Sequence, residues 1–367
     1  MVTRRPGGQG IAVIGAGLAG AACARALARA GERVTVMESG AAAACGASGN
    51  PLGIFHHLYS KDHNLASQWS DYGVVCTHRW LDELAPIARA LGWGCLGKAC
   101  GVLQLTEHGD HLEYWDTRGG WIKPGAFVAA CLADAKDHGA TIRFNVTVKR
   151  VDVDGVIYFA DHQPEAFDVI VVCAAQGMDT ILPDHTFGLN QIRGTVTAFT
   201  LPSVGADSRA LPCVICASGY ATPIIDGQMV VGASYERLPD GRPDPVSNLE
   251  RLRVIDGRLA DLCATVPQSD RTSIRSATID RMPLVGAVLD ITQAFTPQMS
   301  QLHHLPRNPN VWVLGGLGSR GLTSAPLGAE VITAQLQGRA PPINSGLLKA
   351  VDPARFALRQ HQRRARF

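Results

Sequence analysis

The run IAVIGAGLAGAACARALARAGERVTVME at residues 11–38 most constrains what this chain can fold into. Four apolar residues, Ile11 to Ile14, end at Gly15, Gly17 and Gly20. In the spacing GxGxxG the first glycine makes a tight turn and the second lets backbone approach a pyrophosphate. The third lets helix and strand pack closely. The alanine-rich stretch that follows predicts a helix whose N-terminal N–H groups and positive dipole end face the phosphates. Residues 33–37 predict a second strand ending at Glu38, where a carboxylate can accept hydrogen bonds from both ribose hydroxyls. A bare glycine triad also occurs in ordinary α/β turns, but strand, helix and terminal acid together predict a dinucleotide site. Glu38 would repel the extra phosphate of a 2′-phosphorylated nicotinamide.

The chain of 367 residues has room for one large or two interleaved domains. A net charge of +2 does not mark a nucleic-acid binder, although basic residues cluster at residues 349–367. There Lys349, Arg355, Arg359, Arg363, Arg364 and Arg366 face the single acid Asp352, which fits either a solvated tail or a phosphate contact. The N-terminal TRRPGGQG and its apolar sequel do not read as a secretory signal, because the glycine triad and then Arg25 and Arg29 interrupt the run. No stretch approaches a membrane span in length, so no membrane role is expected. The ten cysteines are scattered and read as small hydrophobes in a reducing cytosol, which predicts a cytoplasmic location. Cys213 and Cys216 form a lone CxxC without nearby histidines, so no metal is expected.

Further along, residues 64–91 and 126–138 predict helices, the latter with Pro124 near its start and Gly139 at its end. Residues 100–106 alternate as a strand, and a short polar passage leads on to GGWIKPG at residues 119–125. The run DVIVVC, residues 168–173, is apolar throughout, as in a parallel strand covered on both faces. Residues 196–201, 214–215 and 228–231 read as strands of a mainly antiparallel layer, and residues 246–264 as one amphipathic helix. A strand at residues 312–314 enters GGLGSRGLTSAPLGAE, followed by a helix from about residue 325 to residue 336. This second strand, glycine turn and helix lies about 300 residues after the first and predicts one nucleotide domain built from both ends of the chain. FAD is long enough to need both. The expected class is α/β: a Rossmann-like FAD-binding domain (residues 1–75, 120–185 and 270–345) plus a mainly antiparallel α+β substrate domain (76–119 and 186–269). A basic tail, residues 346–367, completes the division.

GASGN (residues 46–50), CGVLQL (100–105), GGWIKP (119–124), GYATP (219–223), GASYER (232–237), RSATIDRMPLVG (275–286) and GLGSRGLTSAPLGAE (316–330) occur in one order across nearly the whole chain. In these segments the chain resembles the amine-oxidising flavoproteins of the D-amino-acid oxidase and glycine oxidase group. Within it, the chain is similar to the FAD-dependent oxidoreductase domain of the bifunctional enzymes that make 5-methylaminomethyl-2-thiouridine at the tRNA wobble position. Three departures stand out: no residues are available for a methyltransferase domain, the passage from Leu105 to Gly119 is short, and Leu52 and His56-His57 replace a usual glutamine and proline. The resemblance implies a stand-alone oxidase working on tRNA, with a methyltransferase supplied as a separate chain.

The implied reaction removes a carboxymethyl group, as glyoxylate, from 5-carboxymethylaminomethyl-(2-thio)uridine and leaves 5-aminomethyl-(2-thio)uridine. The alternative is a small-molecule oxidase or dehydrogenase for glycine, sarcosine or a D-amino acid. Either substrate has a carboxylate, and a guanidinium holds one best through two parallel hydrogen bonds. The resemblance places Arg275 in that role, against the plainer reading that it ties two strands together. Arg320, in the second glycine turn, is the second candidate or else contacts FAD or a neighbouring loop, and Tyr235 either bonds the carboxylate or fills the core beside it. Ser48, Asn50, Gly177, Gly318, Gly321 and Leu322 carry over as flavin contacts, joining Gly15, Gly17, Gly20 and Glu38. His56 and His57 are read first as non-catalytic, ahead of a base or a flavin-attachment point. Asp280 and Glu330 are read as structural.

Overall fold

The computed structural model describes residues 10–201, 211–239, 244, 246–294, 296 and 299–364. Its organising layer is a six-stranded sheet in the order Leu284–Leu289, Arg307–Gly315, Val169–Val172, Ile11–Ile14, Val34–Met37, Thr141–Arg143. All neighbours run parallel except Leu284–Leu289, which is antiparallel to Arg307–Gly315. The apolar runs Ile11–Ile14 and Val169–Val172 are buried on both faces, as expected for the second from the run at residues 168–173. One face is covered by helices Leu18–Arg29, Pro124–Asp137 and Gly321–Leu336. The other is covered by an antiparallel triplet, Val148–Val151, Val156–Phe159 and Glu165–Ala166, which packs Ile157 and Phe159 beside Ala12 and Ile170.

Helix Leu65–Ala90 starts where Asn64 accepts hydrogen bonds from the Ala66 and Ser67 N–H groups, a standard N-cap. The domain boundary expected between residues 75 and 76 falls inside this helix, which is continuous and bound to the nucleotide layer along its length. Trp69 Nε1 donates to Ser324 Oγ at 3.0 Å, and Trp80 Nε1 donates to Glu330 at 2.7 Å. Arg25, 2% exposed, stacks on Trp80 and bonds both Glu83 and Asp134 at 2.6 Å. Three helices therefore share one buried ionic cluster, which explains why the helix cannot be divided between layers. Glu330 is structural, as expected, but it is an acceptor between helices rather than a surface residue.

The helix expected to begin near residue 325 begins at Gly321. The glycine-rich run delays the expected start, and inside the helix Pro326 has no N–H for the carbonyl of Leu322, four residues back. Thr77 Oγ1 lies 3.1 Å from that carbonyl, so the acceptor is served from the neighbouring helix.

The second layer is an eight-stranded, mainly antiparallel sheet built on a long ribbon, Leu189–Thr200 against Gln268–Thr278, with Arg275 opposite Ile192. The short polar passage after residue 105 contains a strand, Leu112–Asp116, paired with Val102–Leu105. Its alternation is masked in sequence by exposed Leu112 and Trp115. The expected single helix over residues 246–264 is two, Asn248–Ile255 and Gly257–Cys263. Asp256 breaks the first and caps the second through the Leu259 N–H.

The basic C-terminal segment is not a free tail in its described part. It forms helices Ser345–Val351 and Arg355–Arg364, and Arg355, 3% exposed, binds both Asp280 oxygens at 2.9 Å. Arg359 joins the same carboxylate at 2.8 Å. Arg366 lies outside the described residues.

Candidate active site

A cavity of about 990 Å³ lies between the two layers. Its floor is formed by the C-terminal ends of the parallel strands, at Ile14, Met37, Cys173 and Leu314, where open α/β sheets bind ligands. Its roof includes Tyr220, Gly232 and Arg275 from the antiparallel sheet.

The first glycine turn behaves as its spacing requires. Gly15 has φ +102, and a Cβ there would sit 2.7 Å from the Cys173 carbonyl oxygen. Gly20 does not line the cavity. A Cβ on it would come within 1.7 Å of the Gly15 carbonyl, so its role is close packing of helix on strand. Glu38 lines the cavity and also holds the turn, accepting from the Ala16 N–H at 2.7 Å and the Gly40 N–H at 2.8 Å. Ser48 Oγ accepts from the Leu18 N–H at 2.9 Å, linking the GASGN loop to the first helix.

Gly17, Ser48, Asn50, Gly177, Gly318, Gly321 and Leu322 all line the same cavity. Gly318 reaches it with φ +55 while its N–H donates to the Ser276 carbonyl at 2.8 Å, so the second turn is fastened to the ribbon. Arg271 fastens the GASGN loop to that ribbon as well, donating to the Cys45 and Gly46 carbonyls at 2.9 and 2.8 Å. Sequence reading missed Arg271, because nothing local marks a side chain that reaches across more than 200 residues.

Arg275 and Arg320 both line the cavity, one from the ribbon and one from the second glycine turn. Burial lowers the pKa of each guanidinium, and Arg281 lowers that of Arg320 further. Neither has a carboxylate partner among the described residues' ion pairs. A partly buried cation that lacks an internal anion favours an external one. Tyr235 differs from its expected place. It is 49% exposed and outside the cavity lining, although its phenol acts electrostatically on both arginines. Tyr220, from the GYATP segment, lines the cavity beside Arg275, and burial pushes its phenol up to about 12. Its position in a quoted motif was the only available signal.

His56 lines the cavity as well. Its Nδ1 lies 2.9 Å from the His57 carbonyl and 3.3 Å from the Tyr114 hydroxyl. Asp116 holds the His57 N–H at 2.7 Å. Tyr114 and Asp116 come from the strand that the sequence hid, so neither was a candidate.

The cavity fits a long dinucleotide. Asn50 Oδ1 and Ser276 Oγ line it, are buried, and have no hydrogen-bond partner among the described residues. Buried polar atoms of this kind call for a ligand. Two glycine turns flank the cavity, and the Glu38 carboxylate lines it.

A fold of this kind with this cavity defines an FAD-dependent oxidoreductase. The family model described as FAD dependent oxidoreductase matches residues 10–118 and 112–335, and the chain belongs to that family. Its cofactor is FAD. Among individual relatives, the chain is 31% identical over 399 residues to the tRNA 5-methylaminomethyl-2-thiouridine biosynthesis bifunctional protein MnmC of Cupriavidus necator, covering 95% of this chain and 60% of that one. The protein of the same name from Burkholderia multivorans is 33% identical over 396 residues, covering 95% and 59%. The chain thus spans about three fifths of the length of the curated relatives it matches. Among solved structures, glycine oxidase from Geobacillus kaustophilus superposes with TM-score 0.71 at 16% identity, covering 94% of this chain and 98% of that chain. Iminodiacetate oxidase from Chelativorans sp. BNC1 gives 0.70 at 21%, with the same coverage. These two show the fold. Among the described residues, no helix is long and apolar enough to cross a membrane.

Proposed function

We propose that this chain removes the carboxymethyl group, as glyoxylate, from 5-carboxymethylaminomethyl-(2-thio)uridine at the tRNA wobble position, leaving 5-aminomethyl-(2-thio)uridine. The observation that carries this reading is the pair of partly buried arginines, Arg275 and Arg320, in a cavity shared with the FAD-binding turns. The MnmC relatives supply the substrate class. FAD held in this cavity would supply a hydride acceptor.

Arg275 holds the substrate carboxylate through paired hydrogen bonds, and Arg320 adds a second positive charge from the glycine turn. Tyr220 borders Arg275 and remains a neutral phenol at working pH. Holding the carboxylate fixes the glycine-like α-carbon, the atom that loses hydride, and no protein nucleophile is needed. The resulting imine takes up water and releases glyoxylate and a primary amine. Gly15, Gly17, Glu38, Ser48, Asn50, Gly177, Gly318, Gly321 and Leu322 are assigned to FAD, and Gly20 to packing beneath it. Tyr235, at the exposed rim, is assigned to the entering substrate rather than to its carboxylate. A separate methyltransferase and a cytoplasmic location complete this reading.

The test is the modified-nucleoside profile of tRNA from a strain lacking this chain. Accumulation of the carboxymethylaminomethyl form supports the proposal, and an unchanged profile overturns it. The arginine pair would also serve glycine, sarcosine or a D-amino acid. Rapid flavin bleaching by one of these at physiological concentration would favour that second reading.

A further inference from the structure

His56 reads from sequence first as non-catalytic, and its surroundings give it a defined protonation state. Its Nδ1 lies 2.9 Å from the carbonyl oxygen of His57, which can only accept, so Nδ1 carries a proton in the neutral ring. The Tyr114 hydroxyl donates to that same carbonyl at 3.3 Å and closes the triangle. The remaining nitrogen, Nε2, has the free lone pair. Among the described residues no protein group bonds it, and the ring borders the cavity that holds Arg275 and Arg320. We infer that His56 Nε2 accepts the proton of the substrate's secondary ammonium, whose carboxylate the two arginines hold.

The inference rests on the amine-oxidising reading above and deepens it. A zwitterionic substrate reaches the cavity with its nitrogen protonated, and hydride cannot leave the adjacent carbon until a nitrogen lone pair is available. One proton passes from the ammonium to Nε2, giving a neutral amine and an imidazolium, and the C–H electron pair is untouched in that step. The proton then returns to solvent. The charged and titratable groups facing the ring agree with this role. Burial lowers the imidazole's pKa and Arg320 lowers it further, while the His57 carbonyl and Asp116 oppose them. Neighbouring His57 also disfavours the charged ring. Tyr114 stays protonated, its phenol pushed up to about 12 by burial and by nearby Cys216, Asp116 and Glu113. The ring is thus neutral and able to accept at working pH, and the arginines that hold the carboxylate also disfavour the ammonium form.

The test is anaerobic flavin reduction by tRNA carrying 5-carboxymethylaminomethyluridine, with wild type and His56→Gln, from below neutrality to above the pKa of the substrate amine. The variant should be slower by about 100-fold near neutrality. It should recover toward wild type at high pH, where the amine is already neutral. Methoxyacetate has the carboxymethyl group but no N–H, so it should shift the flavin absorbance of both proteins at equal concentrations. FAD content and melting temperature should match. A variant rate that is unchanged, or reduced by one factor at every pH, overturns the proposal. If His56→Gln does not retain FAD, the wild-type profile decides: its rate must fall through one ionisation below the ordinary histidine value, and a flat acid limb overturns the proposal. Wild-type flavin that the tRNA leaves oxidised but sarcosine bleaches would refute the tRNA reading alone. The same comparison with sarcosine would then still judge His56.

Discussion

The guanidinium of Arg275 lies across Gly194 on the opposing strand: a Cβ at Gly194 would fall 2.6 Å from Nη2 and 2.9 Å from Cζ. The absent side chain is therefore what lets Arg275 lie flat along the ribbon. Gly194→Ala should displace the guanidinium and raise KM for the carboxylate substrate while leaving bound FAD in place. Arg275→Ala should lower kcat/KM by about 10- to 100-fold, the range for losing charged hydrogen bonds. Steady-state kinetics checks both. An unchanged kcat/KM for Arg275→Ala would remove this residue from the carboxylate site.

The two tyrosines near Arg275 differ in exposure, and their substitution should separate them. Tyr220→Phe removes the phenol that lines the cavity and should raise KM by about 3- to 10-fold, as for one lost neutral hydrogen bond. Tyr235→Phe, at the half-exposed rim, should change KM for a small amine by less than about 2-fold. Reversed effects would return the carboxylate role to Tyr235.

Glu38 joins two tasks, holding Ala16 and Gly40 and presenting a carboxylate to the cavity. Glu38→Ala should weaken FAD binding by about 10- to 100-fold, read as loss of fluorescence quenching in a titration of apoprotein. Gly20→Ala should act differently, because its Cβ would meet the Gly15 carbonyl at 1.7 Å. It should destabilise the fold by about 3 kcal/mol through overpacking. Wild-type stability in Gly20→Ala would contradict the packing role.

Asp280 anchors the C-terminal helix. Burial alone would raise its carboxyl, but hydrogen bonds from Arg355 and Arg359 bring it down to about 2. A carboxylate depressed below its unfolded value of about 3.9 contributes stability that is full above that value and lost as pH falls toward the folded one. Urea denaturation should show a loss of stability between about pH 4 and pH 2. Asp280→Ala should lack that component and, with Arg355 left buried and unpaired, be less stable at neutral pH by about 3–5 kcal/mol. A neutral-pH loss below about 1 kcal/mol would mean that the C-terminal helix is not held by this pair.

The legible part of the site was the part built from short contiguous patterns. Gly15, Gly17 and Glu38 were readable because a turn, a helix start and a strand end are each set by residues a few positions apart. Arg275 and Arg320 were readable only as isolated candidates, and lining one cavity does not assign them a role. Helix Leu65–Ala90 was found almost to the residue because its Asn64 cap is local, but its partner layer was not, since Trp69, Trp80 and Arg25 act across layers.

From the sequence alone came an α/β nucleotide fold closed by both ends of the chain, because glycine spacing and hydrophobic period are local properties of the backbone. Tertiary structure decided the rest: that a half-buried carboxylate at Asp280 turns the basic tail into a docked helix, and that Tyr114 and the His57 carbonyl give His56, on the cavity lining, one tautomer. Protonation and charge pairing depend on which groups burial brings within a few ångströms, and residues far apart in the chain give no local sign of that meeting.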